Sequence, residues 1–258
     1  MLDKEEIVRG LNTRIMGRKT FVFETIDSTN ACTKTLGDAG MEEGAVVLAE
    51  FQTTGRGRHG RPWLAQPGQN LLFSVLLRPA MPKDLSGLLT LYASVAVARA
   101  VESMTGCAVE CKWPNDLLLN GKKFCGILLE NVFQQGELGY SVIGIGVNVN
   151  QTQFPSELEP AATSLAREHK TSYDRGRLLQ FILREMDSLY DDVRQGKPER
   201  VSKEWSTRCT MFGQRVSVEQ HQSIISGVAV KLHTDGGLIL DTPSGTTTVY
   251  AGDVTIVG

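Results

Sequence analysis

VECKWPNDLLLNGKKFCGILLENVFQQGELGYSVIGIGVNV, residues 109–149, is the stretch that decides the fold. Its apolar runs are separated by turn residues rather than by helix-length segments. Asn120-Gly121 is the strongest two-residue signal for a β-hairpin, and Gln135-Gly136 indicates a second chain reversal. Strands are therefore predicted near 109–113, 116–119, 122–134 and 138–149. Because hairpin-joined strands pair antiparallel, we expect a mixed or antiparallel sheet instead of a strictly alternating βαβ sheet.

Outward from this stretch, apolar periodicity predicts further elements on both sides. Strands are predicted at 20–26, 44–51 and 70–77. Helices are predicted at 4–12, from Ser28-Thr29-Asn30, over about 87–104 with Ser86 as its cap, from Asp174 onward, and near 199–206. The sheet is expected to carry its helices on one face.

From Phe212 the chain changes to short strands separated by Gly, Asp and Ser turns, which fits a small barrel of about five strands. The sequence therefore predicts an α+β protein with an SH3-like β-barrel at its C-terminal end. The expected boundaries are a lead-in at 1–19, a catalytic domain at 20–210 and the barrel at 211–258.

The composition argues against several classes of protein. Lys and Arg total 27 against 29 Asp and Glu, so a net charge of −2 gives no overall attraction to nucleic acid. No apolar run reaches the roughly 18 residues of a membrane span, and the acidic start lacks the features of a signal peptide. We expect a cytoplasmic protein without a membrane partner. Five cysteines without a CxxC pair indicate small core residues rather than a metal site.

GRGRHGR, residues 55–61, formally contains the GxGxxG pattern of dinucleotide-binding folds. That motif needs a helix directly after it and an acidic residue about 20 positions on. Pro62 and Pro67 follow instead, and position 77 is Leu, so we reject that interpretation. Glycines and arginine forks still suit a polyanion, with a solvated basic loop as the alternative. Trp63 can stack on a purine or anchor the loop.

KWPND, residues 112–116, lies between two predicted strands, where Pro-Asn-Asp is also ordinary turn chemistry. Lys123 stands on the outgoing arm of the Asn120-Gly121 hairpin. A solvated strand lysine is the alternative to a catalytic one. Gly126, inside an apolar strand, indicates that another group packs closely on the backbone.

Taken in order, five motifs resemble those of the biotin–protein ligases over nearly the whole chain. They are DSTN at 27–30, QTTGRGRHGR at 52–61, KWPND at 112–116, Lys123 through GILLE at 126–130, and GIGVN at 144–148. Each motif alone is weak, but the ordered set is specific. The resemblance implies a catalytic sheet of the class II aminoacyl-tRNA synthetase type. It also implies that biotin and ATP give biotinyl-5′-AMP and pyrophosphate, followed by transfer to an acceptor lysine.

The resemblance assigns roles to three sets of residues. The catalytic set is Lys123, Arg56, Arg58 and Asp116. The biotin-binding set is Ser28, Thr29, Asn30, Gln52, Gly55, Arg56, Gly57, Arg58, Lys123, Gly126, Gly144 and Gly146. The nucleotide-binding set is Arg56, Arg58, Arg61, Trp63, Lys112, Asn115, Lys123 and Asn148. ATP, Mg²⁺ and biotin are the implied ligands, without a metal site built into the protein.

Within these sets the implied chemistry is largely positioning and charge neutralisation. Lys123 is expected to contact both the biotin carboxylate and the bridging phosphate, and Trp63 to lie against adenine. Gly126, Gly144 and Gly146 would let the biotin ring lie on bare backbone. Asp116 is the candidate for receiving the proton of the acceptor lysine or for orienting its amine, since lysine with a pKa of about 10.4 is mostly protonated at pH 7.

The implied acceptor is a biotin carboxyl carrier protein of acetyl-CoA carboxylase or a related enzyme, and a homodimer is compatible with the resemblance. Two departures from the family pattern affect these expectations. Only about 20 residues precede the strand at Phe21, too few for the winged helix–turn–helix of bifunctional members, so neither repressor activity nor specific DNA binding is expected. Residues 252–257 lack the arginine that some members use against ATP.

Two alternatives stay open at this point. One is a lipoate or octanoate ligase or transferase of the same fold. The other is a non-catalytic nucleic-acid-binding regulator that would use the arginine loop and the barrel.

Overall fold

Two β-sheets form the framework of the protein, in a computed structural model that describes residues 1–195, 197–220 and 223–257. The central sheet has seven strands in the order β1-β2-β3-β7-β6-β5-β4. They are β1 (Thr20–Ile26), β2 (Val46–Gln52), β3 (Leu71–Leu77), β4 (Glu110–Lys112), β5 (Asp116–Leu119), β6 (Lys122–Gln134) and β7 (Glu137–Val147). β1 and β2 pair in parallel, whereas the other neighbours pair antiparallel. The predicted mixed sheet is confirmed.

The two predicted hairpins connect β5 to β6 and β6 to β7. Asn120 and Gly121 have φ of 50° and 74°, and Gln135 and Gly136 have 52° and 86°. Positive φ at both central residues is what a type I′ turn requires. The resulting register places Gly126 opposite both Asp116 and Gly146. The hairpins therefore bring three predicted site residues side by side.

The helices lie between and around these strands. They are α1 (Lys4–Arg9), α2 (Thr29–Asp38), α3 (Leu88–Thr105), α4 (Leu165–His169), α5 (Arg175–Arg194) and α6 (Glu199–Thr207), with short 3₁₀ turns at Arg58–Gly60 and Lys83–Leu85. α4 is the element that sequence periodicity missed, because five residues are too few to show a helical period. The other helices match the predicted ones within a few residues.

The long helices α3 and α5, together with α6, share one core with the strand residues Phe73, Ile143 and Ile145, as predicted. α2 departs from the predicted arrangement, because it lies on the opposite face of the central sheet. There the Tyr140 hydroxyl donates to Lys34 O at 3.1 Å, and a side chain at Gly37 would clash with the Tyr140 ring. Since side chains alternate along a strand, Tyr140, Val142, Gly144 and Gly146 of β7 all face α2.

Ser86 does not cap α3, contrary to the prediction. The cap position is Gly87, and the Ser86 hydroxyl instead accepts a hydrogen bond from Asn131 Nδ2 at 2.9 Å. The preceding 3₁₀ turn moves Ser86 away from the capping position. Together the turn and the helix, Lys83–Thr105, have the length and apolar composition of a membrane span, which the sequence analysis did not expect. Within the most apolar window, 72% of the residues are buried inside the fold, as in a core helix.

The five cysteines are all free, and they divide between core and surface. Cys111 and Cys125 are buried, as predicted, and burial raises the pKa of both thiols. Cys107 is exposed, so the expectation of five core cysteines is wrong for that residue. Its position just after Gly106, where α3 ends, puts it in the loop between α3 and β4.

The second sheet has five antiparallel strands in the order β11-β10-β9-β8-β12, which is consistent with the predicted SH3-like barrel. They are β8 (Arg215–Gln220), β9 (Ser223–Leu232), β10 (Leu238–Thr242), β11 (Gly245–Val249) and β12 (Asp253–Ile256). Trp113 Nε1 donates to Gly236 O at 3.1 Å, so the KWPND segment contacts the loop between β9 and β10.

Candidate active site

A cleft of about 400 Å³ opens on the α2 side of the central sheet, where the hairpins meet the arginine loop. The residues assigned from the sequence line this cleft, with one exception. Those that line it are Ser28, Thr29, Asn30, Gln52, Arg56, Gly57, Arg58, Arg61, Trp63, Lys112, Asn115, Asp116, Lys123, Gly126, Gly144, Gly146 and Asn148. Gly55 is the exception: it is buried and accepts a hydrogen bond from Trp63 N at 2.9 Å.

At one end of the cleft, Gln52 is held in a single amide orientation. Its Oε1 accepts hydrogen bonds from Thr29 N at 2.7 Å and from the Thr29 hydroxyl at 3.0 Å. Because a backbone N–H can only donate, the oxygen of the Gln52 amide must face Thr29. Its Nε2 is therefore left as a donor. Ser28, which caps α2, holds this segment by accepting from Ala31 N.

Beside Gln52, the Asn30 side chain is buried, with 4% exposure, and its polar atoms have hydrogen-bond partners within the protein. Asn30 Nδ2 donates to Glu130 Oε2 at 2.6 Å and more weakly to Leu128 O at 3.4 Å. Its Oδ1 accepts from the Ser74 hydroxyl at 2.6 Å. A Cβ at Gly144 would lie 2.1 Å from Asn30 Oδ1. Gly144 is thus the residue that makes room for Asn30.

Sequence reasoning did not assign Ser74 or Glu130 to the site. A signal for Glu130 was present, because Gly126 and Glu130 lie an even number of residues apart and so share one face of β6. Ser74 gave no signal, since a serine inside an apolar strand is also common in ordinary cores.

Trp63 packs directly on two of the predicted glycines. Cβ atoms at Gly126 and Gly146 would lie 2.8 and 2.6 Å from its ring atoms. Trp63 Nε1 is buried and has no hydrogen-bond partner in the described part of the chain. The expectation that all three glycines present bare backbone to a bound ligand ring stays a prediction. The protein's own Trp63 and Asn30 cover them.

Lys123 lies at the centre of the cleft. Its Nζ is 2.6 Å from Asp116 Oδ1 and 5.5 Å from the centroid of the Trp63 ring. Both charged side chains are partly buried, with 34% and 25% exposure. Lys123 N donates to Ala161 O at 2.8 Å, so its backbone is held on both sides. Asp116 is thus engaged with the lysine instead of standing free as a base.

Two asparagines fix the backbone around this lysine. Asn115 Nδ2 donates to Ile127 O at 2.8 Å, which ties the KWPND segment to β6. Asn148 Nδ2 donates to Thr163 O at 3.0 Å. Both residues line the cleft, and their amide groups hold its walls in place.

The arginine loop folds as a small turn, since Gly57 N donates to Arg61 O at 2.7 Å. Arg58 Nη1 contacts Gly252 O at 3.2 Å and lies 3.8 Å from Asp253 Oδ1. Arg61 forms an ion pair with the other oxygen of Asp253. Burial lowers the pKa of the Arg58 guanidinium, while the nearby Asp253 carboxylate opposes that shift. Arg56, by contrast, is exposed at the rim.

Sequence reasoning missed two further parts of the cleft lining. One is Asp253 of β12, whose ion pairs with the arginine loop could not be inferred from sequence spacing. The other is an apolar wall after β7, formed by Phe154, Leu158, Ala161 and Ala162. These residues lack a regular period, so no pattern marked them.

The charges lining the cleft favour an anionic ligand. Five cationic side chains, Arg56, Arg58, Arg61, Lys112 and Lys123, face two carboxylates, Asp116 and Asp253. Among the described residues, no group of three or more His, Cys, Asp or Glu side chains could hold a metal ion. The arrangement can therefore bind phosphates through protein cations beside a small polar pocket, and it can stabilise charge that develops between them.

The sequence matches two known protein family profiles. Biotin/lipoate A/B protein ligase family matches residues 22–148, and Biotin protein ligase C terminal domain matches residues 211–257. A biotin--[acetyl-CoA-carboxylase] ligase of Mycobacterium tuberculosis is 35% identical over 258 residues, covering 95% of this chain and 94% of that protein. The bifunctional ligase/repressor BirA of Bacillus subtilis is 34% identical over 98% of this chain and 78% of its own length.

The fold is also similar to a solved structure. Biotin protein ligase from Aquifex aeolicus, in complex with biotin and ATP, superposes with a TM-score of 0.80 and 28% identity. The match covers 93% of this chain and 99% of that one.

Proposed function

This chain belongs to the biotin protein ligase family, and from that premise we propose that its cleft activates biotin with ATP and transfers it to an acceptor lysine. One observation carries the assignment of residues to these roles. A fixed polar pocket at Gln52 and Asn30 lies in the same cleft as Lys123 and the arginine loop. That combination suits a ligand with a polar head, a carboxylate and a neighbouring triphosphate.

The polar pocket supports biotin in preference to lipoate or octanoate. Biotin's head is a cyclic urea with one carbonyl acceptor flanked by two N–H donors. Gln52 Nε2 is available as a donor for that carbonyl, and Asn30 Oδ1 as an acceptor for an N–H. Lipoate and octanoate carry no such head, so they would cover Gln52 Nε2 without giving it a hydrogen-bond partner, which strongly disfavours binding.

In the first step an oxygen of the biotin carboxylate attacks the α-phosphorus of ATP. The bond from that phosphorus to the bridging oxygen breaks, and pyrophosphate leaves. We assign to Lys123 the neutralisation of charge on both the carboxylate and the α-phosphate, and to Arg56 and Arg58 the binding of phosphate oxygens. Mg²⁺ enters as part of its ATP complex, since it binds mainly through substrate phosphates and water.

In the second step the amine of the acceptor lysine attacks the carbonyl carbon of biotinyl-AMP. An amide forms, AMP leaves, and the amine loses a proton. Asp116 is our candidate for orienting that amine or taking the proton. Its 2.6 Å contact with Lys123 adds a second role, because Asp116 also holds the lysine in position.

The acceptor is proposed to be a biotin carboxyl carrier protein of acetyl-CoA carboxylase or a related enzyme in the cytoplasm. We propose that residues 20–210 carry the chemistry and 211–258 the small barrel, of which residues 221, 222 and 258 lie outside the described residues. Dimer formation and the absence of specific DNA binding stay predictions. A salt-dependent gel shift tests the DNA prediction, since contacts to phosphate alone weaken steeply with salt.

ATP–pyrophosphate exchange tests the proposal. Exchange is expected to require biotin and to fail with lipoate or octanoate in its place. Adding a biotin carboxyl carrier domain should then yield labelled carrier and AMP, whereas a carrier with Arg at its acceptor Lys should stay unlabelled. Exchange that proceeds equally with lipoate would contradict the proposal.

A further inference from the structure

We propose that Glu130 is a positioning residue that fixes which atom of Asn30 faces the biotin head. Glu130 lies on β6, four residues after Gly126, and has no role in the chemistry described above. The inference rests on the proposed function, because it concerns the recognition of biotin's ureido ring. It deepens that function by naming a residue that determines ligand specificity through another residue.

The geometry shows how Glu130 can act. Its Oε2 accepts a hydrogen bond from Asn30 Nδ2 at 2.6 Å, and Leu128 O accepts from the same nitrogen at 3.4 Å. An ionised carboxylate and a backbone carbonyl can only accept. The nitrogen of the Asn30 amide must therefore face β6, and the reversed amide orientation would place oxygen against oxygen.

The hydrogen bonds of the Asn30 side chain leave only its Oδ1 available to a ligand. Both hydrogens on Asn30 Nδ2 have acceptors on β6. Asn30 Oδ1 accepts from the Ser74 hydroxyl at 2.6 Å and keeps a second lone pair. Asn30 can therefore only accept from a ligand, and a ureido N–H is the group that donates. Without Glu130, the amide could turn over and present a donor instead.

The effect of Glu130 should be strong because the hydrogen bond is charge-assisted and Asn30 is 4% exposed. Asn30 also has little freedom to move, since its Oδ1 lies against the backbone at Gly144. Orientation, rather than position, is thus what Glu130 controls.

The test uses Glu130→Ala, Glu130→Gln and, as a control, Glu137→Ala, which changes an exposed glutamate on the adjacent strand β7. Calorimetry measures the Kd of biotin, and exchange kinetics measure the KM of ATP. Each protein is also titrated with the two biotin analogues methylated at one or the other ureido nitrogen.

For Glu130→Ala we expect the Kd of biotin to rise roughly 10- to 100-fold, the scale of one hydrogen bond to a charged group, with the KM of ATP unchanged. Glu130→Gln should recover part of the loss, because its amide oxygen can accept from Asn30. One methylated analogue should bind the wild type much more weakly than biotin, and this penalty should shrink in Glu130→Ala. Glu137→Ala should behave as the wild type does.

The outcomes separate the possibilities. A biotin Kd within about twofold of wild type in Glu130→Ala, or an unchanged methylation penalty, would overturn the inference. So would equal losses for biotin and ATP, which indicate a general structural role. If Glu130→Ala does not fold, the methylation penalty is measured in Glu130→Gln instead. It should be smaller than in the wild type, because an amide at 130 also permits the reversed orientation of Asn30, and an unchanged penalty would overturn the inference. Failure of the wild type to bind biotin would instead refute the proposed function.

Discussion

Replacing Asp253 with asparagine removes the carboxylate through which the C-terminal sheet contacts the arginine loop. In the structure this carboxylate lies 3.8 Å from Arg58 Nη1 and pairs with Arg61 through its other oxygen. The two arginines are 21% and 67% exposed. The loop should therefore open more readily in Asp253→Asn, because it loses both ion pairs at once.

The magnitude follows from the exposure of the two arginines. The pair with the exposed Arg61 contributes about 0–1 kcal/mol, as surface ion pairs do. The Arg58 pair is less exposed but longer than a hydrogen bond, and we assign it about 1 kcal/mol. Loss of about 1–2 kcal/mol raises the open population of the loop roughly 5- to 30-fold. The contact from Arg58 to Gly252 O survives, so complete disorder is not expected.

Limited digestion with trypsin measures this opening, because the loop contains the cleavable residues Arg56 and Arg58. When opening is fast relative to cleavage, the digestion rate follows the open population. Asp253→Asn should be cut in the loop roughly 5- to 30-fold faster than wild type. Asp241→Asn, on β10, changes another barrel aspartate, which is exposed, and is the matched control. An unchanged rate in Asp253→Asn, or an equal increase in both variants, would refute the reasoning.

Four further predictions concern the cleft and its support. Lys123→Ala should slow biotin-dependent pyrophosphate exchange by about 100-fold or more, the scale of losing one key electrostatic group, and near-normal exchange would remove it from the catalytic set. Asp116→Asn should impair transfer to the carrier more than adenylation; equal losses in the two half-reactions would indicate that its main role is to hold Lys123. Gly146→Ala puts a Cβ 2.6 Å from the Trp63 ring, so displacing the indole should cost about 1–3 kcal/mol. Tryptophan fluorescence and the KM of ATP should both change, and constancy of both would contradict this packing. Asp187 is 7% exposed; burial opposes its charge, yet hydrogen bonds from three backbone N–H groups lower its pKa overall. Because the pKa is lower in the folded protein, this stabilisation is fully present at pH values above the pKa of an unfolded Asp, about 3.9. It is lost as the pH falls through the lower pKa of the folded state. Asp187→Asn should therefore lower the free energy of unfolding by about 1–3 kcal/mol at pH 7 and by less in acid, whereas a pH-independent difference in denaturant titrations would argue against it.

Much of the fold could be predicted because its signals are local. Asn120-Gly121 and Gln135-Gly136 both form the predicted turns, and the strands around them match within a few residues. Where prediction failed, a tertiary contact overrode a local preference. Ser86 has a good capping side chain, but its hydroxyl binds Asn131 and Gly87 takes the cap position.

The candidate site was also largely visible in the sequence. Residues that bind charged or polar ligands stand out in loops and at strand ends, and all of those assigned except Gly55 line one cleft. Their mutual contacts were not visible. The sequence assigned Asp116 a role toward the acceptor amine, but it gave no sign of the contact with Lys123 that the structure shows.

What the sequence determined by itself was therefore the order of strands and turns, the arginine loop and the family motifs, since each depends on residues close together in the chain. The tertiary structure alone decided which distant groups meet. Asn30 and Glu130 are 100 positions apart, and Arg58 and Gly252 are 194 apart. Trp63 reaches Gly126 and Gly146 only because β6 and β7 lie side by side beneath the loop. Such pairings depend on strand order and register, and no local period or turn signal specifies which distant residues will face each other.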